Sequence, residues 1–350
     1  MAAQQHDPAV TSSIETLLLI TGHVGRLNNG LIALYPHNNS TGAMDFGLLP
    51  THSAGRVKTE VKGLPARDLT SGKVRGLYVM ACDPAADGNF VKPDWLVVQD
   101  LFLTETAKLA DVVLPAQSFA ERDGTFTNTE RRVQLFHSAI KAAGEAKPDW
   151  WIVSEIAKRL GGEWAYIHPS EVMSEIASSV PLYAGMTYAA LAENVMTPRP
   201  PYAQGNPSDE PTLIAMGELE NVSSGRQWQS IAESDANRKF DLFWNAPKIA
   251  EEGGTVLAVA RSLYDRGTLV SRTKIVQPRV PEPAVELNSH DAEQLGIADG
   301  ARVRVSFDSR VLELKARVDG HVPPDAVLIP NNLDGTAALP MGALVKIQKV

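Results

Sequence analysis

Cysteine is almost missing from this chain: Cys82 is the single one in 350 residues. That excludes an intrachain disulfide framework and suits a reducing compartment. It also excludes a cubane iron–sulfur cluster held by this chain alone, because such a cluster normally takes four thiolates. A solitary cysteine is commonly a small buried apolar residue, and Cys82 is expected to be one. Long apolar runs are missing as well. Thr16–Ile20 is far shorter than the roughly 20 apolar residues of a membrane span. The N-terminal MAAQQHDPAV lacks the basic and apolar regions of a secretory signal. Any membrane association is therefore expected to run through a partner. There is no basic excess: the formal net charge is -8 and the pI about 5.5, which offers no footprint for nucleic acid. Glu130-Arg131-Arg132 and the Arg302/Arg304 pair read as solvated surface charge. Neither a phosphate-binding Gly-Lys-Ser/Thr loop nor a Gly-x-Gly-x-x-Gly dinucleotide fingerprint occurs. His23, His37, His52 and His137 show no metal-ligand spacing, and no nucleophile–base–acid set is visible. No catalytic or metal-binding residue is assigned.

What is present is ordinary for a globular protein, with 44% hydrophobic and 21% charged residues. The length suggests two or three domains. Residues 12–21 read as an apolar helix ending at Gly22. The Gly- and Asn-rich stretch from Thr21 to Gly42 reads as ordered loop. Gly76–Ala81, Trp95–Gln99 and Asp111–Pro115 are short β-branched runs ended by polar residues. They predict parallel strands buried on both faces. Between the last two, Leu103–Ala110 predicts a short helix with Thr104 as N-cap. A helix follows Pro148-Asp149 and stops at Gly161-Gly162. Another, capped by Ser170, stops at Pro181. The segment 197–250, rich in Pro and Gly, reads as an irregular linker or crossing segment. Beyond it the period changes to two. Val303, Val305 and Phe307, then Leu312, Leu314, Ala316 and Val318, form a hairpin turning at Asp308-Ser309. Asn288 and Ser289 open a short helix, Val327–Pro330 is a further strand, and the whole suggests a closed barrel.

Three segments, in order, resemble the molybdopterin oxidoreductases. They are Thr21–Arg26 with Asn39–Gly47; Asp100–Pro115 running on to Glu121–Gln134; and Val285–Asn288 through Asp291–Gly300. The resemblance implies an α/β fold: a parallel-sheet, Rossmann-like domain followed by a double-psi β-barrel that binds pterin dinucleotide in active members. The expected division is 1–60 as helix and loop completing the α/β domain, 61–196 as that domain, 197–250 as linker and 251–350 as barrel. Leu263–Leu269 and Pro281-Glu282-Pro283 are closest to the large peripheral subunit of respiratory NADH–quinone oxidoreductase (complex I). In that subunit the molybdenum cofactor is typically absent. The leading expectation is accordingly a structural and assembly component of that complex with a vestigial pterin site and no cofactor of its own. The alternatives are the C-terminal half of an active enzyme such as a formate dehydrogenase, with molybdopterin guanine dinucleotide bound, or a non-catalytic pterin-binding module. The family's cluster-binding cysteines and molybdenum-ligand residue lie N-terminal to every matching segment. The chain is thus expected to be a split gene product, a truncation or a fragment. Its partner would be the missing N-terminal half, which would hold the iron–sulfur clusters, or other peripheral-arm subunits. The place expected for it is the cytoplasmic face of the membrane, or the cytoplasm when unassembled.

For a pterin dinucleotide the candidate contacts follow from its phosphates, ribose and guanine. Asp83 and Asp100 stand at the C-terminal ends of predicted parallel strands, suited to a ribose or guanine edge. The helix start at Thr104–Thr106 offers N–H groups to an anion. Asn128, Arg131 and Asn332 would add hydrogen bonds. Each also has a plain structural role open to it, as a turn, a cap or a loop residue.

Overall fold

In the computed structural model, residues 8–23, 35, 37–87, 90–129, 133–196, 254–307, 310–337 and 339–350 are described. They divide into two units, Leu17–Asp241 and Leu242–Val350, the latter taken with Met1–Thr16. The expected linker at 197–250, the hairpin turn at Asp308-Ser309 and Arg131 lie outside the described residues.

The apolar N-terminal run forms α1 (Pro8–Ile20), and Gly22 follows it in the left-handed region (φ 68). The stretch read as loop contains a helix, α2 (Ser40–Asp45), which corrects that expectation. Tertiary contacts outweigh the weak local propensity of Gly and Asn here. Asn39 Oδ1 accepts from the Thr127 amide (2.8 Å), and Asp45 is fully buried in an ion pair. A small ribbon, β1 (His52–Ser53) with β2 (Val57–Lys58), and a single turn, α3 (Ala66–Leu69), lead to the sheet.

The three β-branched runs become β3 (Gly76–Met80), β4 (Trp95–Asp100) and β5 (Val112–Pro115). They are parallel in the order β3-β4-β5. β4 is central, and its Leu96 and Val98 are fully buried. Helix α4 (Glu105–Leu109) covers one face, packing Ala107 on Val79, Leu96 and Val98. Only β4 meets the expectation of burial on both faces. Tyr78 and Met80 on β3, and Val112 and Val113 on β5, remain exposed because these are the outer strands. Cys82, just beyond β3, is exposed rather than buried.

A hairpin of β6 (Gly124–Thr127) and β7 (Val133–Phe136) follows. Gly124 is required there: a Cβ would lie 2.6 Å from the Phe136 ring, which stacks on Phe126. Helix α5 (Asp149–Arg159) comes next, and the hairpin packs with α6 (Pro169–Ser179) and α7 (Tyr188–Met196) around a core of Val133, Met173, Tyr183, Met186 and Leu191. The cap of α6 is His168, whose Nδ1 accepts from the Ser170 amide (3.2 Å), and not Ser170 as expected.

The second unit is a closed six-stranded barrel in the order β10-β11-β9-β12-β8-β13. Its strands are β8 (Thr255–Arg261), β9 (Ala284–Leu287), β10 (Arg302–Phe307), β11 (Arg310–Val318), β12 (Ala326–Asn331) and β13 (Leu344–Lys349), with α8 (Thr268–Ser271) and α9 (Ser289–Gln294) between them. Asn288 caps α9, as expected. The period of two works directly: Val303, Val305 and Phe307 point into the core while Arg302 and Arg304 face out. Burying each such side chain contributes about 1.5–3 kcal/mol. The pairings carry an internal two-fold relation. Exchanging β8 with β11, β9 with β12 and β10 with β13 leaves the set of pairings and their senses unchanged, interchanging the parallel pairs β8·β12 and β9·β11.

Candidate functional site

Ligands of α/β proteins gather at the carboxyl ends of parallel strands, where loops diverge and main-chain groups are free. Among the described residues such places lie at the end of the α/β sheet and, in the barrel, at the ends of the parallel pairs β8·β12 and β9·β11.

In the α/β unit the place is the end of β3 and β4. Ala81 leaves β3 in the left-handed region (φ 50), and the turn carries Asp83 toward the start of α4. Asp83 Oδ1 accepts from the Thr106 amide (2.8 Å) and hydroxyl (2.7 Å), and Oδ2 from the Glu105 amide (3.3 Å). Thr106 Oγ1 in turn accepts from the Ala85 amide (3.0 Å). Thr104 Oγ1 accepts from the Ala107 amide (3.2 Å). The donors expected to be offered to a ligand anion are thus taken by the protein's own carboxylate and hydroxyl. Asp83 and Thr104 cap α4, and Asp83 ties it to the turn after β3. Asp100, mostly buried at the end of β4, accepts from the Leu101 amide (2.6 Å). Asn128 is half-buried just after β6. The structure brings Asp83 and Thr104 together at the start of α4.

Two further polar clusters in this unit escaped the sequence reading. Asp45, fully buried, accepts from Arg56 Nε (2.5 Å) and from the Tyr183 hydroxyl (3.1 Å). Tyr183 accepts in turn from Thr127 Oγ1 (3.0 Å). Burial, and secondarily the neighbouring Asp45 charge, raises the Tyr183 pKa above the usual phenol value. The second cluster is centred on Gln99, which is fully buried on β4. It accepts from the Tyr78 hydroxyl and donates to Asp149 Oδ1 (2.5 Å). The other Asp149 oxygen pairs with Arg122, whose pKa burial pushes down.

In the barrel unit the polar end is that of the adjacent parallel strands β8 and β12, which finish side by side at Arg261 and Asn331. Asp265, nearly buried, accepts from the Gly267 amide (2.7 Å) and from Asn332 Nδ2 (2.9 Å). Arg261 Nε lies 3.8 Å from it. Asn332 sits in the left-handed region (φ 61), which Asn tolerates better than most residues. Its carbonyl accepts from the Arg266 amide (2.8 Å), and the Arg266 guanidinium pairs with Asp334. The two loops are stitched together below an exposed run of cations. Between 261 and 279 the chain carries Arg261, Arg266, Arg272, Lys274 and Arg279 against the single carboxylate Asp265. Of these, Arg279 rests over the Tyr264 ring. Asn332, a candidate from the sequence, lies among these polar groups. Asp265 was missed, although Asp-x-Gly just after an apolar run is the sequence of an Asx turn.

Among the described residues, no group of three or more His, Cys, Asp or Glu side chains could hold a metal ion. No helix of the described residues is long and apolar enough to cross a membrane.

Comparison with known proteins bears on both units. Residues 1–159 match the family profile described as molybdopterin oxidoreductase, and residues 256–346 match that of the "Molydopterin dinucleotide binding domain". The chain carries both domains. The Bacillus subtilis protein named "Putative formate dehydrogenase YrhE" is 32% identical over 92% of this chain and 35% of its own length. A Staphylococcus aureus (strain USA300) protein, also named "Putative formate dehydrogenase", is 34% identical over 98% of this chain and 37% of its own. The chain thus spans about a third of the curated relatives it matches. Acetylene hydratase from Pelobacter acetylenicus shares the fold, with a TM-score of 0.53 at 19% identity over 81% of this chain and 46% of that one. A dinucleotide-binding domain runs against the expectation of a chain without a cofactor. The relatives' names support the alternative of a molybdopterin oxidoreductase over a complex I subunit.

Proposed function

We propose that this chain, which carries the two domains of a molybdopterin oxidoreductase, is the C-terminal, cofactor-binding portion of an enzyme of the formate dehydrogenase kind. The observation that carries the reading is the stitched pair of loops at the ends of β8 and β12. The chemistry of that donor set suits a pterin dinucleotide. Phosphates call for cations, and Arg261 and Arg266 stand there half-exposed. Ribose and base edges call for paired donors and acceptors, which Asn332 and Asp265 supply in a preorganised form. The internal two-fold relation of the strands supports a double-psi barrel. When bound, the cofactor would supply two-electron oxidation–reduction at molybdenum. This chain's part is to bind and orient: Asp265 holds Asn332, Asn332 holds the Arg266 main chain, and the cations face outward.

The reading implies a partner polypeptide that supplies the remaining part of the enzyme, including any iron–sulfur clusters and the molybdenum ligand, and a cytoplasmic site reached by any membrane only through that partner. The complex I reading rested on Leu263–Leu269 and Pro281-Glu282-Pro283, and the names of the relatives favour the formate dehydrogenase alternative.

The test uses guanosine diphosphate as a probe of the dinucleotide half, titrated into the whole chain by calorimetry. Binding that weakens at least tenfold in Arg261→Ala and Asn332→Ala, roughly 1.4 kcal/mol or more, is expected. Absence of binding in the parent chain, or equal binding in both variants, overturns the assignment. Co-expressed with its partner, the complex should reduce a dye with formate, which a structural subunit would not do.

A further inference from the structure

Three loops of the α/β unit bring titratable side chains to one carboxylate. Asp123 precedes β6, His137 follows β7, and His168 stands at the start of α6. His168 Nε2 lies 3.4 Å from Asp123 Oδ2, and His137 Nδ1 lies 3.5 Å from Asp123 Oδ1. Oδ1 also accepts from the Ser138 amide (2.8 Å). Burial works against the Asp123 charge, but the Ser138 amide and the two imidazoles outweigh it and hold the carboxyl below its usual value. Two further groups face the cluster. The Tyr188 ring of α7 meets the His168 ring edge-on at 6.0 Å; burial and Asp123 push its phenol up to about 12, so it stays neutral. Glu171, in the first turn of α6, accepts from the Ile167 amide (2.8 Å).

The other nitrogen of His168 is committed to the helix. Nδ1 accepts from the Ser170 amide (3.2 Å) and lies 2.8 Å from Ser170 Oγ. An imidazole nitrogen that accepts carries no proton, so the neutral ring holds its proton on Nε2, toward Asp123. Pro169 has no N–H, and the Glu171 amide bonds the His168 carbonyl (3.0 Å). The Ser170 amide is therefore the donor that the cap must satisfy. A second proton can enter only at Nδ1. It turns the acceptor into a donor facing a donor, and it puts positive charge where the helix dipole disfavours it. Ser170 Oγ can reverse and accept from the charged ring, but the Ser170 amide has then lost its partner. A Ser, Thr or Asn cap has no such step, whereas imidazole is the side chain that changes charge between about pH 5 and 8.

We propose that His168 is a proton-operated cap: the neutral ring closes the first turn of α6, and the protonated ring opens it while pairing with Asp123. The response is local. Met173 and Ile176, further along α6, pack into the Tyr183 core, so the helix keeps its seat while its first turn loosens. The Asp123 and Glu171 carboxylates favour the charged ring and the helix terminus opposes it, so Asp123 helps to set the pH at which the cap opens. The device is independent of the cofactor reading.

The experiment follows the whole chain by nitrogen NMR and amide exchange between about pH 8 and pH 5. At the upper end the imidazole nitrogen shifts should place the His168 proton on Nε2. On acidification the protection of the Ser170 amide, corrected for the intrinsic pH dependence of exchange, should fall at least about threefold, within the range of a lost cap. The Ala190 amide, which donates to Thr187 Oγ1 at the start of α7 (3.2 Å), should keep its protection. His168→Asn, whose carboxamide caps throughout this range, should hold the Ser170 protection constant. Asp123→Asn, which keeps an acceptor for the Ser138 amide, should move the midpoint of the Ser170 change down by about half a pH unit, as the loss of a partly exposed pair allows. A proton on Nδ1 at the upper end overturns the proposal. So does Ser170 protection that stays constant in the parent chain, that falls equally at Ala190 or in His168→Asn, or whose midpoint Asp123→Asn leaves in place. The tautomer and the Ser170–Ala190 comparison are read on the unaltered chain, so the proposal can fail even if a variant does not fold.

Discussion

The buried pair Asp45–Arg56 gives the sharpest test of how the α/β unit is held. Asp45 has no exposed surface, whereas about a third of the Arg56 side chain reaches solvent. Removing one member of a fully buried pair costs about 3–5 kcal/mol, because it strands the other charge. Here the opening to water at Arg56 and the hydrogen bond still donated by Tyr183 reduce that figure. Arg56→Met is expected to cost about 2–3 kcal/mol, and Asp45→Asn, which leaves the more exposed partner behind, about 1–2 kcal/mol. Since both remove the same interaction, the double variant should cost at least about 1 kcal/mol less than the sum of the singles. Urea denaturation followed by tryptophan fluorescence measures this, because Trp95, Trp150, Trp151 and Trp164 all lie in this unit. An Arg56→Met cost below about 0.5 kcal/mol, the range of an exposed pair, would refute the burial argument, as would strict additivity.

Stability against alkali should depend on Tyr183: its folded pKa is raised by burial, so its contribution is intact below about pH 10 and lost as pH rises further. Tyr188, pushed up to about 12 by burial and by Asp123, acts in the same sense; Tyr183→Phe should flatten the decline in a pH series of melting curves. Ala81→Gly should stabilise the unit by about 0.5–1 kcal/mol, since a left-handed Ala costs about 1–2 kcal/mol and glycine's greater unfolded entropy returns part of it; a destabilised variant would show that the Ala81 methyl packs. Asp83→Ala should cost about 1–2 kcal/mol as a lost cap while leaving nucleotide binding unchanged, and calorimetry showing weakened binding would restore Asp83 to the ligand site.

The sheet was legible because a buried parallel strand must be a short β-branched run, and three such runs stood at the right spacing. The same logic failed at the outer strands, since exposure depends on how many strands join, which no single run records. Asp83 was singled out for a ligand, whereas its bonds to α4 were not legible. Its partner Thr106 lies 23 residues away, and periodicity cannot tell a ligand carboxylate from a cap. Helix α2 was misread because its Asn and Gly favour loops, while the contacts that hold it reach Thr127 and Arg56. At α6 both His168 and Ser170 are competent caps, and the choice fell on geometry. Asp265 lay inside a segment already noted for its resemblance, yet its Asx turn gained meaning only once β8 and β12 were found side by side.

Both units present polar residues at the ends of adjacent parallel strands, and the difference between the two ends directs the functional reading. At β3 and β4 the groups satisfy one another: a carboxylate meets three donors of α4, and a hydroxyl meets a fourth. A site closed in this way has little left for a ligand anion, since binding would first have to displace an internal one. At β8 and β12 the carboxylate Asp265 is likewise satisfied, but its bonds fix loops whose surface carries five cations over 19 residues of chain. There Asp265 organises the loops and Asp334 pairs with Arg266, and the cations still outnumber the carboxylates. Preorganised loops with outward positive charge meet the needs of a phosphate-bearing ligand, because the ordering cost falls on folding and not on binding. The proposed cofactor reading accordingly draws on the barrel residues Arg261, Asp265, Arg266 and Asn332, with Asp83 and Thr104 proposed as scaffold, which the Asp83→Ala titration checks.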